Sequence, residues 1–145
     1  MSTSTLRTGR TSIDADLFES LAAFLVVQEH LECERAEEIA DQAAAFVITA
    51  ATATTPMVPS DDVDLGLHAL ILHTREYAAL CQKHAGRFLH HNATPTAGGR
   101  DPEQVAASAR AMKAAGFRVL DHLWVHNGQN LGQCDSDCGR PYGQA

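Results

Sequence analysis

The chain has 145 residues, is 45% hydrophobic, and carries a formal net charge of −7 with a pI near 5.5. That length suits one domain with a real core, and the apolar content excludes a chain disordered by composition. The acid excess argues against a nucleic-acid partner, which needs a basic face, and no apolar run approaches the roughly 20 residues of a membrane helix.

Residues 1–11 are rich in Ser and Thr and read as a disordered leader. They lack the apolar centre of a secretory signal, so the expected location is cytoplasmic. Ser12 or Asp14 is the expected N-cap of a first helix over 13–31, whose apolar positions include Leu17, Leu21, Phe24 and Leu25. A second helix is expected over 34–52, with Ile39, Ala43, Phe46 and Val47 facing a core and Asp41 among its solvated first turns. Pro56 and Pro59 end it. Ser60 then caps a third helix running from Asp61 to about Lys83–Ala85, with Gly86 as C-cap. A loop over 86–101 leads to Asp101-Pro102, an N-cap followed by proline at the first helical position, and a fourth helix ending near Gly116. Phe117, Val119, Leu120, Leu123 and Trp124 form an apolar patch on a further short turn. The fold class expected is all-α, a compact bundle of about four helices. Residues 12–126 form the domain, and 127–145 a flexible Gly/Cys-containing tail.

The chemistry gathers in Asp61–His91, which holds five of the eight histidines. Helix geometry makes residues three or four apart neighbours, which pairs Asp64 with His68 and Cys81 with His84. On an unbroken helix His68 and Cys81 would be separated by roughly 20 Å and could not share an ion. Two candidate metal sites follow. One is Asp64 and His68, completed by His90 or His91, with Asp64 either a ligand or an acceptor that orients the His68 ring. The other is Cys81 with His84, His90 or His91, completed by the tail residues Cys134 and Cys138. Zinc suits such a mixed His/Cys set, and iron is the alternative. Tyr77 reads as a core residue with a satisfied hydroxyl, and Cys81 equally well as a small buried hydrophobe.

The stretch VDLGLHALILHTREYAALCQKHAGRFLHH resembles the core of the glycine-rich-domain-protein-like family. Asp64, His68, Tyr77, Cys81, Gly86 and His90 or His91 fall on that family's positions, and Leu67 stands where it usually has Trp. Pro59-Ser60, Gly116-Phe117, Leu123-Trp124 and the tail with Cys134 and Cys138 are similar to short bacterial members. The resemblance covers about 13–126. It implies an all-helical fold and supplies no substrate.

Three functions compete on these grounds. The first is a small cytoplasmic metal-binding protein whose ion clamps the 86–101 loop and the tail. The second is an enzyme with an open His/Asp metal site or metal-free acid–base groups. The third is a metal-free helical module that binds a protein partner or forms a homo-oligomer. No nucleophile elbow, phosphate loop or HExxH pattern points to a reaction.

Overall fold

The structure, a computed structural model, describes residues 5–91 and 100–125. These form five helices: α1 (Ala15–Glu29), α2 (Cys33–Ala50), α3 (Asp61–Leu72), α4 (Thr74–Ala85) and α5 (Pro102–Ala114). Short 3-10 turns lie at Arg10–Ser12 and Asp121–Leu123. The fold is all-α; among the described residues the only β feature is a single bridge between Arg7 and Phe117. No described helix is long and apolar enough to cross a membrane.

Local chemistry starts and stops these helices. The carboxylate of Asp14 accepts from the Asp16 amide, Ser60 Oγ from the Val63 amide at 3.2 Å, and Asp101 from the Glu103 amide. Each satisfies an amide that the first turn leaves without an intrahelical partner. Gly86 ends α4 in the left-handed conformation, φ 71°, which costs glycine nothing.

The core is organised around α2. Every residue from Ile39 to Thr49 is buried, so this helix is wrapped on all sides rather than amphipathic. Its alanines allow close approach: a Cβ at Gly66 of α3 would stand 2.8 Å from both Ala43 Cβ and the Ile39 carbonyl oxygen. α3 can lie this near α2 only because position 66 is glycine.

Asp41 and Gln42 are buried within that helix, contrary to the solvated first turns expected for Asp41. Gln42 is a hub. Its Oε1 accepts from the Leu120 amide (3.0 Å) and Trp124 Nε1 (2.9 Å). Its Nε2 donates to the Arg118 carbonyl and to Asp41 Oδ2. One amide side chain thus fixes the segment after α5, whose Trp124 ring stacks on Phe46.

Residues 7–10, within the stretch expected to be a disordered leader, make specific backbone contacts with the helical domain. The Arg7 amide donates to the Gly116 carbonyl, and the Arg118 amide to the Arg7 carbonyl, both at 2.8 Å. The Arg10 amide donates to Asp41 Oδ1, and a Cβ at Gly9 would collide with the Asp41 carbonyl oxygen. Glycine at position 9 allows the chain to lie directly on α2.

The single third helix expected from 61 to 85 is two helices. His73 leaves helical geometry at φ −82°, ψ 70°. Its Nδ1 donates to the Ala69 carbonyl at 2.7 Å, and its Nε2 shares a 2.8 Å hydrogen bond with Ser20 Oγ of α1. The imidazole thus closes the C-terminal turn of α3 and pins it to α1, and α4 sets off in a new direction.

Candidate metal centre

The first turn of α3 begins with three acidic residues, Asp61, Asp62 and Asp64. Asp64 faces inward, its side chain 11% exposed, and His68 stands one turn later on the same face. The chain leaving α4 through Gly86 brings His91 back to this end of α3. It is held on the way by Tyr77, whose hydroxyl donates to the Leu89 carbonyl, and by Phe88, edge-on to the Tyr77 ring.

Asp64, His68 and His91 therefore offer three ligand atoms that all lie within 4.8 Å of one another. His68 Nε2 is 3.2 Å from His91 Nε2 and 3.3 Å from Asp64 Oδ2, and His91 Nε2 is 3.2 Å from Asp64 Oδ1. Donors held at zinc bond lengths of about 2.0–2.1 Å in tetrahedral geometry stand roughly 3.3 Å apart. The separation of the two imidazole nitrogens matches that edge, and each nitrogen lies at that distance from a different oxygen of Asp64.

The charges around the cluster keep Asp64 ionised. Burial alone would raise its pKa, but the polar contact with His91 and the charges of His68 and Arg100 outweigh it and hold it below the usual carboxylate range. Arg100 donates from Nη2 to Asp64 Oδ2 at 2.8 Å and from Nη1 to Asp61 Oδ1. Asp64 Oδ1 is buried and has no aligned hydrogen-bond donor. Buried polar atoms are seldom left in that state, which makes this oxygen a candidate ligand atom.

The other candidates part from this cluster. His90 is exposed and packs its ring against Phe88. Cys81 is fully buried in the core beside Tyr77, and burial and the neighbouring thiol push the phenol pKa up. His84 Nε2 is buried without a hydrogen-bond partner; burial first, then Lys83 and Arg7, push its pKa down. Neither Cys81 nor His84 belongs to a metal-capable group among the described residues. Cys134 and Cys138 lie outside the described residues, as does His126. His122 pairs with Glu38 of α2 at 3.1 Å.

Sequence reasoning missed Arg100, which lies 36 positions from Asp64. The signal it left was slight: a lone arginine directly before the Asp101-Pro102 helix start.

Fold and site together define a small all-α protein with a half-buried two-histidine, one-aspartate cluster at one end of a helix. The chain belongs to the UCP032817-like family, an uncharacterised family matched over residues 12–115. That assignment corrects the resemblance to the glycine-rich-domain-protein-like family. Tyr77 and Cys81, which helped to carry it, are buried core positions one turn apart. Their spacing reflects helical packing and does not identify a lineage. Comparison with curated proteins and with solved structures returns no match.

Proposed function

We propose that this is a metal-binding protein whose ion sits between Asp64, His68 and His91. One observation carries the reading: two imidazole nitrogens 3.2 Å apart face the Asp64 carboxylate, each within 3.3 Å of a different one of its oxygens, and Oδ1 is buried without an aligned hydrogen-bond donor. Two imidazoles and a carboxylate suit zinc, and the same set on one side of an ion suits iron(II). Zinc is the first expectation.

The experiment is elemental analysis of protein purified without a histidine tag. Near-stoichiometric zinc or iron is expected in the wild type. His68→Ala and His91→Ala should lose it, and His90→Ala should retain it. Wild-type protein holding only a small fraction of an equivalent after exposure to zinc and to iron(II) would overturn the reading.

The number of protein ligands bears on the enzyme alternative. Three ligands leave an ion at least one position for water or substrate, which is the arrangement of catalytic zinc sites. A metal-dependent enzyme is therefore the second reading. It fails if X-ray absorption of the loaded protein shows a fourth protein ligand in place of exchangeable water.

A further inference from the structure

The two oxygens of Asp64 have different surroundings. Oδ2 accepts from Arg100 at 2.8 Å and lies 3.3 Å from His68 Nε2. Oδ1 lies 3.2 Å from His91 Nε2 and is otherwise bare. Arg100 also reaches Asp61, one turn earlier on α3, so its planar fork spans two carboxylates. A fork held at both prongs opposes rotation of Asp64 in a way that the point charge of a lysine cannot.

We propose that Arg100 is a positioning residue that holds Asp64 to one-oxygen ligation, leaving the bound divalent ion open to a small anionic ligand. This rests on the metal-binding reading above. Two imidazoles and one carboxylate oxygen give three protein ligands, and zinc takes four. Charge selects what fills the remaining position. A dication among two carboxylates, one guanidinium and neutral imidazoles keeps one net positive charge. In a half-buried site that excess favours an anionic donor over a neutral or cationic one. Without the guanidinium, Asp64 is free to turn and chelate the ion through both oxygens, closing the position.

The test uses the full chain loaded with cobalt(II), whose visible bands report coordination number, with sodium azide as the anion probe. Wild-type protein should show a saturable spectral change on azide addition. Arg100→Gln should have an altered spectrum before azide is added, and its azide affinity should fall about 10-fold or more, the usual scale for outer-shell partners of metal ligands. Arg100→Lys keeps the charge but not the fork and should resemble Arg100→Gln. It carries the test alone if Arg100→Gln does not fold, as judged by circular dichroism. Folded variants with the wild-type spectrum and azide affinity would overturn the proposal, as would a wild-type cobalt spectrum indifferent to azide. A wild type that takes up no cobalt(II) would instead bring down the metal reading itself, and this inference with it.

Discussion

The hydroxyl of Tyr77 donates a 2.6 Å hydrogen bond to the carbonyl of Leu89, two residues before His91. A side chain on α4 thereby sets where the returning chain delivers His91 to α3. Tyr77→Phe keeps the ring and its edge contact with Phe88 but releases that carbonyl. The expected cost is about 1 kcal/mol of stability, with a fall in zinc affinity of about 10-fold. Urea unfolding and a competitive chelator titration measure the two effects separately; unchanged zinc affinity would show that the clamp does not position His91.

The histidine that completes the cluster is His91, although His90 is adjacent in sequence. Zinc at about one hundred times its dissociation constant should raise wild-type stability by roughly 2.7 kcal/mol. His90→Ala should keep that increment and His91→Ala should lose it, as read from thermal melts with and without metal. The opposite pattern would mean that the loop presents its other imidazole.

Asp64 makes acid sensitivity of the metal-free protein specific. Its folded pKa lies below the ordinary carboxyl value, so its contribution is fully present above the unfolded value, about 4, and is lost as pH falls through the folded one. The stability gap between wild type and Asp64→Asn should therefore shrink as pH falls below about 4. A gap that fails to shrink below about pH 4 would contradict the ion-pair account.

Gln42 predicts a purely structural phenotype. Gln42→Leu preserves volume but strands the Leu120 amide and the Trp124 indole N–H, both of which Oε1 accepts. At 1–3 kcal/mol for an orphaned buried group, a loss of about 3 kcal/mol is expected. Trp124 fluorescence should shift to the red as the final segment loosens. Metal uptake should stay at the wild-type level in the folded fraction, because Gln42 does not touch the cluster.

Read alone, the sequence determined what depends on neighbours within a turn. Asp14, Ser60, Gly86 and the Asp101-Pro102 start all act on backbone groups a few residues away, and the structure uses each as its residue type requires. The pairing of Asp64 with His68 is of the same kind, a consequence of 3.6 residues per turn. The choice of His91 over His90, the Arg100 fork, the break at His73 and the Gln42 hub belong to the tertiary structure. Each depends on contacts between segments distant in sequence: Ser20 with His73, Tyr77 with Leu89, Asp64 with Arg100, Gln42 with Trp124. Helical periodicity says which face a residue occupies but not what is packed against it. The stretch Asp61–His91 therefore held the candidate residues in plain view, and only contacts between its distant segments decided which three of them meet.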